Sequence, residues 1–316
     1  MIVVTGGLGF IGFNLIKKLN SNNITNIVIV DDLQNKHNNH KNIKKIKFLK
    51  IIDYRTSVSK LENIKKKIIC IFHNGANSDT TCWDSKDIIE KNYTYSKTLF
   101  KFAIKKKIDF IYASSASVYG NDKHYAEDPL NLYACSKLLF DNFIKNFIKL
   151  KKKISIKIVG LRYFNVYGPY EDHKHNMSSP ILTFFNQAKK NKEIKLFDST
   201  NQIKFDKYSR DFIYVNDVVN INYKFFLLKK KVNGIFDIGS AKSTSFHIIA
   251  TEIKKSFLIK KKFNIKLTRV KFPSKLKNFY QFYTKSNNKN FSKIFKNYKF
   301  VKINDGINDY LHYLNI

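Results

Sequence analysis

Proline is nearly missing from this chain, with 4 in 316 residues, and glycine (11) and tryptophan (1) are scarce. Such a composition excludes collagen-like repeats and Pro/Gly-rich disordered tracts, and it makes any cluster of glycines informative. Cysteine is also rare: Cys70, Cys82 and Cys135 form no Cys-x-x-Cys pair and are odd in number. That excludes a disulfide framework, no metal site is expected, and the thiols read as reduced groups of a cytosolic protein. No apolar run approaches the roughly 20 residues that cross a bilayer, so no membrane partner is expected. An apolar strand beginning at residue 2 leaves no room for a leader ahead of it, and we expect a cytoplasmic protein.

Negative charge is in short supply as well. Against 58 Lys and Arg stand 24 Asp and Glu, a net charge of +34. An excess of this size ordinarily points to nucleic acid. Here the lysines fall in short runs scattered along the chain, such as Lys65-Lys66-Lys67, Lys151-Lys152-Lys153 and Lys260-Lys261-Lys262. Lys, Asn, Ile, Phe and Tyr are all plentiful together, so we read the charge as a compositional bias. No specific nucleic-acid partner is expected, only weak, salt-dependent attraction to polyanions.

What the chain does have begins at once. Val3-Val4-Thr5-Gly6-Gly7-Leu8-Gly9-Phe10-Ile11-Gly12 joins an apolar strand to a helix whose Ile11, Leu15 and Leu19 recur at helical spacing. Gly6 permits a tight turn, Gly9 lets the backbone approach a pyrophosphate, and Gly12 lets the helix lie close on its strand. The helix dipole then faces the phosphates. Further apolar runs at 27–30, 46–51, 68–72, 110–113 and 154–159 alternate with helical periodicity. The alternation predicts an α/β fold: a doubly wound parallel sheet of the Rossmann kind, with ligands in the crevice at the carboxyl ends of the strands. The second strand ends in Asp31-Asp32, about 20 residues beyond the glycine turn, where an acid can hold an adenosine ribose hydroxyl. The stretch 35–45 reads as a surface loop. After Gly168-Pro169 the alternation decays, which suggests a smaller α/β substrate-binding lobe.

The run from Tyr112 to Gly120 carries Ser114, Ser115 and Ser117 off the end of a strand. Tyr133-Ala134-Cys135-Ser136-Lys137 follows on a helix, where residues i and i+4 share a face. A phenol with an ordinary pKa of about 10 needs roughly 4 kcal/mol of phenolate stabilisation to reach 7. A nearby ammonium and a cationic oxidised nicotinamide act in that direction. Tyr133 can then take a proton from an alcohol as hydride leaves its carbon, with Ser115 holding the same oxygen.

With these residues the chain resembles the extended short-chain dehydrogenase/reductases, whose sugar-nucleotide epimerases and dehydratases use Ser, Tyr and Lys with bound NAD or NADP. The likeness extends through Arg162-Tyr163-Phe164-Asn165-Val166-Tyr167-Gly168-Pro169 and the segment from Arg210 to Val218. Three further segments are similar to the branch that inverts C6 of ADP-D-glycero-D-manno-heptose on the route to the lipopolysaccharide inner core. They are His73 to Asp84 with its Ser-x-Thr-Thr-x-Trp run, Glu171-Asp172-His173-Lys174, and Lys275 to Gln281.

The resemblance implies an isomerase with bound NADP, NAD being the alternative, and ADP-heptose as substrate. It implies Tyr133 and Lys174 as acid/base groups, supported by Ser115 and Lys137. For the cofactor it implies Gly6, Gly9, Phe10, Ile11, Gly12, Asp31, Asp32, Lys41, Asn74, Gly75, Ala76, Asn77, Ser78, Asn92, Lys137, Val166 and Lys174. For the substrate it implies Asn165, Asn176, Phe197, Asp198, Ser199, Thr200, Arg210 and Tyr280. It also implies a homo-oligomer, a pentamer in the family. The expected division is a dinucleotide-binding domain at 1–163, with returning segments at about 214–240 and 286–302. A substrate domain takes 164–213, 241–285 and 303–316.

The chain departs from the branch at Asp32, where Asn is usual; a second carboxylate would repel a 2′-phosphate, and Lys36 or Lys41 could offset it. Asn74, His175, Asn176, Pro180 and Thr183 depart at the sugar end or near it. A 4,6-dehydratase would want an acid where Ala116 stands. Two alternatives stay open: another sugar-nucleotide epimerase or dehydratase, and a non-catalytic basic protein associated with nucleic acid.

Overall fold

The computed structural model describes residues 1–34, 39–200, 204, 207–274 and 280–316, and the side chains of all of these except 39, 40, 175 and 176. Twelve strands are named along the described chain: β1 Ile2–Thr5, β2 Ile27–Asp31, β3 Lys50–Asp53, β4 Cys70–His73, β5 Asp109–Ser115 and β6 Ile158–Tyr163, then β7 Asn165–Tyr167, β8 Glu193–Phe197, β9 Ser209–Tyr214, β10 Asn233–Ile238, β11 Ser243–Ser245 and β12 Lys266–Val270. Between them run α1 Phe10–Asn20, α2 Ser57–Glu62, α3 Ser85–Ile89, α4 Tyr95–Lys105, α5 Leu132–Leu150, α6 Pro180–Asn191, α7 Val215–Leu227, α8 Phe246–Lys261, α9 Lys289–Ile294 and α10 Ile303–Tyr313.

Seven strands form one sheet in the order β10-β6-β5-β4-β1-β2-β3, every neighbouring pair parallel. Order reverses beside β1, which opens the crevice that the glycine turn enters. The strands read as unbroken apolar runs because both faces are covered. Ile2 and Val4 pack toward α1, while Val3, Val28 and Val30 pack toward α4 and α5 through Leu99, Phe100, Phe140 and Ile144. Two small sheets, β11-β9-β7 and β12-β8, stand beyond the carboxyl ends. No helix among the described residues is long and apolar enough to cross a membrane.

Three strands are displaced along the chain from the runs that announced them. β3 starts at Lys50 because pairing with β2 sets Val28 against Lys50 and Asp31 against Asp53; Ile46 is buried from outside the strand. β4 occupies Cys70–His73 in place of 68–72. β6 begins at Ile158, four residues late, because Lys157 is used as a helix stop. Its buried ammonium donates to the carbonyls of Phe225, Phe226 and Leu228 at 3.1, 2.6 and 3.0 Å, where the end of α7 concentrates negative partial charge. The expected surface loop is partly helical: Asn39–Lys45 form a 3₁₀ turn.

The glycine turn meets its steric demand. Gly6 has φ +62°, and a Cβ on Gly12 would lie 2.1 Å from the Gly6 carbonyl oxygen. Gly12→Ala is therefore expected to lower stability by about 3 kcal/mol. A fall in thermal unfolding midpoint of only a degree or two would show that the turn can relax.

Candidate active site

Two cavities meet above the carboxyl ends of the strands. The first, about 610 Å³, runs along the glycine turn and the ends of β1, β2 and β4. The second, about 720 Å³, lies under β8, α6 and α8. Ser115, Tyr133 and Lys174 line both, so they stand on the shared wall.

Each arrives there for a local reason. Ser115 is the last residue of β5, and its Oγ accepts from Ser117 N at 3.1 Å and Ser117 Oγ at 2.8 Å. Tyr133 lies in the first turn of α5, which Asn131 caps by accepting from Ala134 N at 2.9 Å. Lys174 rides on a 3₁₀ turn, Asp172–Met177. The turn is anchored by Glu171, fully buried, which accepts from Ser179 N and Ser179 Oγ, both at 2.7 Å. Asp141, also fully buried, ties α5 to the sheet, accepting from Tyr112 OH (2.9 Å), Ser114 Oγ (2.8 Å) and Arg162 Nε (2.7 Å).

Burial sets the proton affinities. It holds the Tyr133 phenol above its ordinary range; the hydrogen bond with Ser115 pulls it down and the Asp141 charge pushes it up. It lowers Lys137 to about 8, against the pull of Asp141, and it lowers Lys174, against Glu171. The sequence led us to expect the Lys137 ammonium to depress the phenol. Instead it donates to the Ala113 carbonyl at 3.0 Å and sits 5.8 Å from the Tyr133 ring centre. The protein alone therefore leaves the phenol protonated.

The first cavity fits a dinucleotide. Its floor is the glycine cradle that a Cβ would fill, Gly9 caps α1 with no side chain on its first N–H groups, and Asn74 Nδ2 is buried without a partner among the described residues. It is lined by Gly6, Gly9, Phe10, Ile11, Gly12, Asp31, Asp32, Asn74, Gly75, Ala76, Asn77, Ser78, Lys137, Val166 and Lys174. Two residues expected with them are elsewhere. Lys41 turns away to pair with Asp172. Asn92 is buried behind the loop, its side chain consumed by Asn77 N (2.8 Å), Asn77 O (2.8 Å) and Ser136 Oγ (2.9 Å).

In the second cavity stand Asn165, Phe197, Arg210 and Tyr280. Arg210 is clasped between Tyr280 and Phe246, 4.8 and 5.5 Å from the ring centres, and donates to the Gln281 carbonyl at 3.1 and 2.7 Å. That orients a fork suited to phosphate oxygens. Asp198, Ser199 and Thr200 follow β8 but do not line the cavity, because Asp198 N is drawn to Val270 O at 2.9 Å. The Asn176 side chain, Lys36 and residues 275–279 lie outside the described residues.

Sequence reasoning missed several wall residues: Tyr54, Lys91, Tyr95 and His173 around the first cavity, and Phe184, Gln187 and Phe246 around the second. The first three lie on a helical turn just after β3, on another ahead of α4 and at the start of α4, and no local pattern brings them to the cavity. The ribose end of the first cavity is also more charged than expected. Arg55 Nη2 pairs with Asp32 at 3.0 Å and Nη1 with Asp53 at 3.0 Å; Lys91 pairs with Asp87 at 2.7 Å and reaches Asp32 at 3.7 Å.

Residues 2–239 match the NAD dependent epimerase/dehydratase family. A curated relative from Brachyspira hyodysenteriae, named ADP-L-glycero-D-manno-heptose-6-epimerase, is 39% identical over 99% of this chain and 98% of its own. The crystal structure of Helicobacter pylori ADP-L-glycero-D-manno-heptose-6-epimerase superposes with a TM-score of 0.84 at 30% identity, covering 99% of this chain and 96% of that one. Thermus thermophilus UDP-glucose 4-epimerase in complex with NAD shares the fold, with a TM-score of 0.79 at 18% identity over 99% and 98% of the two chains. A dinucleotide cradle joined at a Ser-Tyr-Lys wall to a second cavity is thus accompanied by likeness over nearly the whole length, and this chain belongs to the NAD dependent epimerase/dehydratase family.

Proposed function

We propose that this chain is an ADP-L-glycero-D-manno-heptose 6-epimerase, inverting C6 of ADP-D-glycero-D-manno-heptose. The observation that carries the mechanism is the shared wall: Ser115, Tyr133 and Lys174 face a dinucleotide cavity on one side and a nucleotide-sugar cavity on the other. Carbon 6 bears no acidic proton, so it cannot exchange by simple deprotonation. A nicotinamide held by the residues of the first cavity would supply the missing redox chemistry, reversible hydride transfer at C6 by way of a planar ketone.

The chain's residues handle the proton and the geometry. Rotation of the short C6–C7 arm about the C5–C6 bond would present the other face of the ketone and move its oxygen to a second position, so two proton carriers are needed. Tyr133 and Lys174 serve these two placements, and Ser115 holds the oxygen beside Tyr133. Arg210 takes the diphosphate, and the apolar end formed by Leu196, Tyr208, Phe246 and Val270 takes the base. Incubation with ADP-D-glycero-D-manno-heptose and cofactor, read by NMR at C6, tests the reading. Formation of the L-glycero epimer supports it; with cofactor demonstrably bound, an unchanged sugar refutes it.

For the cofactor, the family branch points to NADP. A second reading, NAD, is favoured by the ribose end, where Asp32, Asp53 and Asp87 outnumber Arg55 and Lys91 among the described residues. A 2′-phosphate would add like charge there. On this reading Asp32→Asn releases Arg55 and Lys91 toward the phosphate and raises NADP affinity relative to NAD about tenfold. Calorimetric titration of both dinucleotides decides between the readings, since wild-type preference for NADP would dismiss the second.

A further inference from the structure

The acid pair and the glycine cradle leave one buried group in the dinucleotide cavity without a task. His173 Nδ1 is buried and has no hydrogen-bond partner among the described residues, and the ring lines the first cavity and not the second. Native folds seldom leave a buried polar atom unpaired unless something absent from the bare protein satisfies it. The residue sits between Asp172, which holds Lys41, and Lys174.

Burial lowers the imidazole to about 4; Asp172 and the Tyr170 carbonyl oppose this, and Lys174 and Lys41 reinforce it. The ring is therefore neutral near pH 7, with one N–H and one bare nitrogen. The Tyr170 carbonyl acts on the ring as a hydrogen-bond acceptor, and with Nδ1 unpartnered we assign the N–H to Nε2. Nδ1 then carries the lone pair. A bare nitrogen repels phosphate oxygens and attracts a hydroxyl or an amide N–H.

We propose that His173 binds the dinucleotide, its Nδ1 accepting a hydrogen bond from a ribose hydroxyl or the carboxamide of the cofactor. The inference rests on reading the first cavity as the cofactor site. It assigns to His173 a contact that the adjacent acid/base residue does not make, and it accounts for a ring kept neutral beside Lys174: acceptance requires the lone pair that protonation would remove.

The test compares wild type, His173→Phe and His173→Asn by calorimetric titration with NAD and with NADP. Phe keeps the ring without the acceptor; Asn places an amide oxygen near the position of Nδ1. His173→Phe is expected to weaken the preferred dinucleotide about five- to tenfold and His173→Asn to recover most of that. In ¹⁵N spectra of the imidazoles, assigned by the signal missing from His173→Asn, Nδ1 should move from bare toward hydrogen-bonded on adding dinucleotide. It should stay put on adding the nucleotide sugar alone. Unchanged affinity in His173→Phe with an unmoved Nδ1 signal would overturn the assignment while leaving the cofactor site intact. Failure of the wild type to bind either dinucleotide would overturn the cofactor reading and this one with it.

Discussion

Tyr133→Phe should abolish epimerisation, cutting kcat by about 10³- to 10⁴-fold, and leave the fold and cofactor affinity nearly as they were. The change removes one oxygen and no volume. Ser115 Oγ keeps both of its donors, Ser117 N and Ser117 Oγ, so β5 has no reason to move. Stability should shift by no more than about 1 kcal/mol. What disappears is the proton carrier on one side of the C6 oxygen. Burial and Asp141 hold this phenol protonated in the protein alone, and the Ser115 hydrogen bond offsets only part of that. Phenolate formation would then need further positive charge beside the ring, which a bound oxidised nicotinamide would supply. Turnover followed by NMR at C6, with calorimetry for the cofactor, checks this; a kcat within tenfold of wild type would remove Tyr133 from the mechanism.

Lys174→Arg is expected to lower kcat by about 10²- to 10³-fold with KM changed only a few-fold. Arginine preserves the positive charge at the junction of the cavities but stays protonated at every accessible pH. Burial holds Lys174 below the ordinary lysine range, so its neutral amine is reached at a lower pH than for an exposed lysine. In the proposed two-carrier mechanism, one proton shared between Tyr133 and Lys174 is handed from one side to the other in each turnover. The wild-type rate should then be bell-shaped in pH, falling at low pH where both carry protons and at high pH where neither does. With arginine the exchange is blocked at every pH, and because this side never loses its proton the alkaline limb vanishes while the acid limb stays. If Lys174→Arg retained full activity with the same bell, proton transfer would need a single group, and the two-sided mechanism would be wrong.

Much of this site was legible because the chemistry sits in short local patterns. The glycine spacing, the serine run ending β5 and the Tyr-x-x-x-Lys turn are all readable where they stand. Fifteen residues expected at the cofactor line one cavity. The expected residues that stand off the cavities do so for a common reason. Lys41 and Asn92 were assigned by resemblance, but their partners are decided by neighbours distant in the chain: Asp172 for the first, Asn77 and Ser136 for the second. The turn after β8 stands off the second cavity too, with Asp198 N bonded to Val270 O on β12.

By itself the sequence determined that a parallel sheet would form, where its first crossover would make a tight glycine turn, and which face of α5 would present Tyr133 and Lys137. These follow from periodicity and from backbone angles only glycine accepts, both properties of a few consecutive residues. Only the tertiary structure decided that Lys157 would delay β6 by stopping α7, and that the Lys137 ammonium would go to Ala113. It also decided that Arg55 and Lys91 would flank Asp32, and that the His173 nitrogen would be buried bare. Each of these depends on what burial removes from water and on which distant partner stands within hydrogen-bond reach, and no spacing along the chain encodes either.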